Sequence, residues 1–177
     1  HCVPVFLPPE VHSACCVGYG PKILYPLLHN QIPDRHAGGK GCDGAYVSKL
    51  YAEYSRANDA CAATVRSAVK SGDMVWVHNY ALMLVPAALK RVGLPANVLV
   101  SFFMHTPWPS PEVWRVLPHR AELLRSMLSA EVVGFHLFEY ARHFITSCRR
   151  QLGLEEHAGV GQGGGVLSVN VGARRVT

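Results

Sequence analysis

MVWVH (74–78), VLVSFFMH (98–105) and EVVGFH (131–136) decide the fold of this chain. Each run is short, rich in β-branched and aromatic residues, and ends in a histidine; helical-looking segments separate the three. Strands that alternate with helices pack as a parallel sheet, and open sheets of this kind take ligands at the C-terminal ends of their strands. The pattern predicts strands over 74–78, 98–104 and 131–135 as parallel neighbours, with His78, His105 and His136 along one crest.

Working outward, Val47, Leu50, Tyr51, Tyr54, Ala57, Cys61, Ala62, Val65 and Val69 recur at three- and four-residue steps. That spacing predicts one helix over 45–69 with a buried stripe, stopped by Ser71, Gly72 and Asp73. The segment 82–89 is apolar nearly all round, which predicts a helix buried under the sheet with Pro86 tolerable only in its first turn. Gly93 and Pro95 end it. Pro107, Pro109, Pro111 and Pro118 make a rigid loop, interrupted by a helical piece over 112–116. Leu137, Tyr140, Ala141, Phe144, Ile145, Cys148 and Leu152 form the strongest amphipathic pattern, closed by Gly153. CVPVFLPPE (2–10) reads as an earlier strand and 12–25 as irregular. DRHAGGKGCDG (34–44) is a flexible loop by composition, GVGQGGG (159–165) a mobile linker, and 166–177 two strands around a tight turn.

At 177 residues, with 49% hydrophobic and 16% charged residues, the chain has the makings of one globular domain. Its net charge of +5 is scattered rather than gathered into a patch, which argues against nucleic-acid binding. No apolar run approaches bilayer length, and the longest, 81–89, contains Pro86, so no membrane span is expected. No signal-peptide pattern opens the chain, although it starts at His1 and so reads as lacking its true beginning. The six cysteines form no C-x-x-C pair, and adjacent Cys15 and Cys16 are poorly placed to bridge each other; buried free thiols in a cytoplasmic protein are the expectation. His78, His105, His136 and His143 match no zinc or iron spacing. No G-x-G-x-x-G follows the early strand, which disfavours a nucleotide-sugar epimerase or dehydrogenase.

WVHNYALMLVPAALKR, SFFMHTPWPSPEVWRVLPHRAELL and GFHLFEYARHFITSCRRQLGLE, in this order and spacing, resemble the N-terminal domain of trehalose-6-phosphate synthases. CVPVFLPPE (2–10) and KILYPLLHN (22–30) resemble the same family's preceding strand and its L-W-P-hydrophobic-hydrophobic-H-Y segment. Several separated motifs in fixed order carry more weight than any one of them. The resemblance implies an α/β fold: a Rossmann-like N-terminal domain of a GT-B glycosyltransferase, with its core over 2–154 and a linker and β-hairpin over 155–177 that lead into a second domain. It implies retaining transfer of glucose from UDP-glucose to glucose 6-phosphate, without a metal or other cofactor. Its partners would be a sugar phosphate and a nucleotide sugar, with assembly into homo- or hetero-oligomers with other synthase subunits.

His105 matches the histidine that faces the transferred glucose in the family's F-F-L-H-x-P-F-P loop; its bland alternative is a strand cap bonded to a neighbouring carbonyl. Thr106 follows it in the same loop. His78 and His136 either line the site or are satisfied packing residues. Asn79 stands where the family has an acceptor-binding aspartate, Cys16 where a tyrosine contacts the sugar phosphate, Tyr25 where the motif has tryptophan, and Ala81 where it has a second histidine. The neutral Asn79 amide and the weakly donating Cys16 thiol remove charge assistance and a phenolic donor, losses on the order of 1–2 kcal/mol each. Those departures and LPPE (7–10) point to the alternative: a catalytically silent, synthase-like regulatory protein that still binds sugar phosphate or partner proteins. Arg115 matches an arginine-bearing family segment or forms a salt bridge to Glu112 or Glu122. Arg142 and His143 read as scaffold.

Because GT-B transfer takes place in a cleft between two domains, the purified 177-residue chain is expected to make no trehalose 6-phosphate from UDP-glucose and glucose 6-phosphate. Product accumulating in that assay contradicts the reading.

Overall fold

The structure, a computed structural model, describes residues 2–32, 44–154, 156–157, 168–171 and 174–176. The loop at 34–43 and the linker at 159–165 lie outside the described residues. Three parallel strands, β1 (Met74–His78), β2 (Leu99–Met104) and β3 (Val132–Phe135), lie in that order. The register pairs Met74 with Leu99 and His78 with Phe103, then Ser101 with Val132 and Met104 with Phe135. This is the parallel arrangement that the three histidine-ended runs predict.

The strands obey the two-residue period of a pleated sheet. Val77, Val100, Phe102 and Met104 turn to one face and are almost wholly buried. The opposite parity leaves Met74, Trp76, Leu99 and Val132 exposed, with Trp76 at 59%. Among the described residues, then, helices cover one face only. The covering layer contains α3 (Gly44–Ala68), α4 (Val85–Val92), α6 (Arg120–Met127) and α7 (Phe138–Leu152), with the short α5 (Pro111–Trp114) in the proline loop. Pro86 sits in the first turn of α4, where its missing N–H costs no helical bond. Gly153 ends α7 at φ 68°, in the left-handed region that glycine enters most cheaply. Tyr19, Leu24, Tyr54, Leu89, Met104, Trp108 and Trp114 fill the interior between sheet and helices. Among the described residues no helix is long and apolar enough to cross a membrane.

Two expectations fail at the amino end. Residues 2–8 form no strand, and 12–25 is helical rather than irregular: α1 (Pro9–Ser13) runs into a wide π-helical stretch, Ala14–Leu24, and then into α2 (Tyr25–Leu28). The glycines and proline of G-Y-G-P disguise the periodicity, yet Val11, Cys15, Tyr19, Ile23 and Leu27 recur every four residues and are buried. Gly18 is small because α3 presses on it; a Cβ there would meet Leu50 Cδ2 at 2.8 Å. A further helix, α6, follows the proline loop and buries Leu123, Leu124 and Met127. At the carboxyl end β5 (Ser168–Val171) and β6 (Arg174–Val176) pair antiparallel as expected, and β4 (Glu156–His157) joins them on the other side of β5.

Cys2, Cys15, Cys16, Cys61 and Cys148 are free thiols, with Cys15 and Cys148 buried. Burial disfavours the thiolate and pushes Cys15 up to about 12, and it raises Cys148 further. Since the thiolate is the reacting form, an alkylating reagent at pH 8 is expected to modify Cys15 and Cys148 at least about tenfold more slowly than exposed Cys2 and Cys16. Peptide mapping over time checks the order, and equal rates contradict the burial.

Candidate functional site

The three strand-end histidines meet at the crest. His78 closes β1, His105 follows β2 and His136 follows β3. His78 Nδ1 lies 3.0 Å from His105 Nε2. The His105 and His136 rings are 5.4 Å apart between centroids, at 58°. Phe103 is the spacer beneath them, 4.8 Å from the His105 ring and 5.0 Å from the His136 ring. Its ring lies over Gly134, where a Cβ would approach Phe103 Cδ2 at 2.6 Å, so the position takes no side chain unless Phe103 moves.

The His78–His105 contact constrains the chemistry of both rings. One nitrogen must carry the shared proton and the other must accept it, so two imidazolium ions cannot make this bond. It also occupies Nε2 of His105, which leaves that ring its Nδ1 edge to offer a ligand. Among the described residues, no three His, Cys, Asp or Glu side chains are grouped to hold a metal ion.

Asn79, the residue after β1, carries an unusual backbone conformation. Its φ of 67° and ψ of 172° fall in a region that glycine alone occupies freely, a conformation costing on the order of 1–3 kcal/mol. Its N–H donates to the Phe103 carbonyl at 2.8 Å, and its own carbonyl accepts from Leu82 N–H at 3.1 Å. Its side-chain Oδ1 is buried and has no hydrogen-bond partner.

Two residues of α3 that the sequence reading passed over as partners hold the segment after Asn79. Tyr54 donates its hydroxyl proton to the Tyr80 carbonyl at 2.6 Å, and the same oxygen accepts from Met83 N–H at 3.1 Å. Asn58 Nδ2 donates to the Ala81 carbonyl at 3.2 Å and to its own helix at the Tyr54 carbonyl, while Oδ1 accepts from Leu84 N–H at 3.1 Å. Both side chains are fully buried. Burial drives the Tyr54 phenol well above its ordinary range, an effect that the Met83 N–H only partly opposes, so it stays protonated and able to donate. One signal for the pair was available: a polar residue at 58 in the middle of an apolar helical stripe must find partners if it is buried.

The other expected site residues are less tightly gathered. Tyr25 is half-exposed at the start of α2, its ring 5.9 Å from Tyr80 and 4.1 Å from His29. Cys16 is exposed on the π-helical stretch beside buried Cys15. Thr106 is almost buried, and its hydroxyl donates to Met104 Sδ at 3.2 Å. Glu112 pairs with Arg150, and Glu122 accepts from Tyr51 at 2.7 Å, so each carboxylate suggested for Arg115 has another partner. His143 approaches the Trp108 carbonyl at 3.4 Å and ties α7 to the proline loop. A surface cleft of about 590 Å³ between the amino-terminal helical segment and α3 mixes Lys22 and Lys49 with Glu10 and Glu53 and contains none of these site residues.

The sequence profile of glycosyltransferase family 20 matches residues 1–176. The chain is 43% identical over 157 residues to alpha,alpha-trehalose-phosphate synthase (UDP-forming) 1 of Arabidopsis thaliana, a match covering 87% of this chain and 16% of that protein. Among solved structures, the N-terminal domain of trehalose-6-phosphate phosphatase from Candida albicans superposes with a TM-score of 0.80 at 31% identity, over 99% of this chain and 33% of that one. An alpha,alpha-trehalose-phosphate synthase (UDP-forming) from Burkholderia xenovorans, in complex with glucose-6-phosphate, shares the fold with a TM-score of 0.77 at 22% identity, over 95% of this chain and 34% of that one. The chain thus spans between about a sixth and a third of the length of these relatives.

Replacing Asn79 by glycine removes both the backbone strain and the orphaned Oδ1, against an unfolded-state entropy loss of roughly 0.5–1 kcal/mol. Asn79→Gly is expected to stabilise the fold by about 1 kcal/mol, raising Tm by roughly 2–4 °C in thermal unfolding. A lowered Tm contradicts the strain.

Proposed function

The chain belongs to glycosyltransferase family 20, and from that premise we propose that it forms the acceptor-side, Rossmann-like half of a trehalose-6-phosphate synthase. The reaction breaks the bond between the anomeric carbon of glucose and the β-phosphate oxygen of UDP. A bond from that carbon to the anomeric oxygen of glucose 6-phosphate forms, and the acceptor proton departs with UDP. Such a transfer needs the acceptor hydroxyl held against the anomeric carbon and dipoles directed at the developing positive charge. In this reading His105 faces the transferred glucose through Nδ1, with His78 behind it and Thr106 in the same loop. Asn79 takes a sugar hydroxyl, with Tyr25 and Cys16 flanking the acceptor.

The observation that carries the reading is Asn79. A strained residue with a buried, unpartnered carbonyl oxygen, next to an imidazole pair at a strand crest, suits a site where a hydroxyl donor completes the hydrogen bonding. UDP and trehalose phosphate enter through the names of the relatives, and glucose 6-phosphate through the Burkholderia complex.

A second reading is a sugar-phosphate-binding protein that does not turn over. It is favoured by the neutral amide at Asn79 and the thiol at Cys16, and by a structural relative named as the N-terminal domain of a phosphatase. UDP release from UDP-glucose that depends on glucose 6-phosphate, measured on the full-length protein, separates the two; binding without release belongs to the second. In the same protein, Asn79→Asp with Cys16→Tyr is expected to tighten glucose 6-phosphate several-fold to about thirty-fold by calorimetry. If wild-type binding is already that of an active synthase and the double substitution weakens it, the silent reading loses its support.

A further inference from the structure

We propose that Tyr54 and Asn58, on the buried face of α3, are positioning residues for the acceptor site, holding residues 79–84 so that Asn79 is presented there. The inference rests on the assignment of Asn79 to that site. A conformation as costly as that of Asn79 persists only where its surroundings over-determine it. The Phe103 carbonyl fixes the near end of the segment through Asn79 N–H. Beyond it, Tyr54 and Asn58 engage the Tyr80 and Ala81 carbonyls and the Met83 and Leu84 N–H groups. With both ends held, φ at 79 has no freedom to relax.

The chemistry of the two side chains supports a role beyond packing. An apolar pair would fill positions 54 and 58 of a buried stripe equally well. A phenol that donates and accepts at one oxygen, beside a carboxamide that donates at one end and accepts at the other, matches the two carbonyls and two N–H groups of this loop. Neither side chain is exposed to solvent, so water cannot replace them.

The test uses the full-length protein with glucose 6-phosphate as probe. Tyr54→Phe keeps the ring and deletes the hydroxyl. Leu89→Ala, which opens a cavity at a buried position of α4 and removes none of the hydrogen bonds described for residues 79–84, reports what general destabilisation does. Tyr54→Phe is expected to weaken glucose 6-phosphate about tenfold by calorimetry, and to lose that effect in an Asn79→Ala background. It should also speed amide exchange at Asn79 and Leu82 beyond the rate in Leu89→Ala. Equal losses of affinity in both backgrounds, or exchange no faster than in Leu89→Ala, overturns the proposal. If Tyr54→Phe does not fold, Asn58→Ser is read by the same criteria. Asn79→Ala with unchanged affinity sinks the acceptor-site assignment instead, and the exchange comparison still decides whether the clamp holds the loop.

Discussion

Four hydrogen bonds between the Tyr54 and Asn58 side chains and the backbone of residues 80–84, two donated and two accepted, tie α3 to the end of the sheet. This segment must turn the chain from the end of β1 into α4 within a few residues, going from a partly exposed start to buried Met83 and Leu84. Each backbone group buried there without a partner would cost on the order of 1–3 kcal/mol. Two side chains of α3 meet four such groups at once, so the helix, the sheet end and the start of α4 are fixed by one set of bonds. His78 and Asn79 are the residues immediately before the held segment.

The crest itself divides into two neighbouring environments. On one side the His78 and His105 imidazoles share a proton, and the His105 ring stands over Phe103, which in turn needs the bare Cα of Gly134. On the other, Asn79 offers a neutral oxygen. Covalent connectivity makes them adjacent: His78 and Asn79 are successive residues at the end of β1.

Much of this was legible in the sequence. The period-two strands, the histidines at their ends, Pro86 in a first turn and Gly153 as a left-handed stop all express local rules that tertiary structure left intact. The amino-terminal helix was hidden because G-Y-G-P signals a turn, and packing against Leu50 and Tyr80 overrode it. α6 follows the proline loop, and Leu123, Leu124 and Met127 mark its helical face. Tyr54 read as one more apolar residue of a stripe, because its hydroxyl acts on groups 26 and 29 residues away. The φ of Asn79 follows from closing a loop between two anchored ends, and no residue type announces that.

The one-sided sheet has a consequence for the chain as a colloid. Among the described residues Met74, Trp76, Leu99 and Val132 are exposed along the face that no helix covers, and apolar surfaces of this kind adhere to one another. Opposing this is the net charge of +5, which repels like molecules but acts only across a Debye length, about 8 Å at physiological ionic strength. The balance makes solubility a function of salt: dilute buffer keeps molecules apart by charge, and concentrated salt leaves the bare face to set how closely they approach.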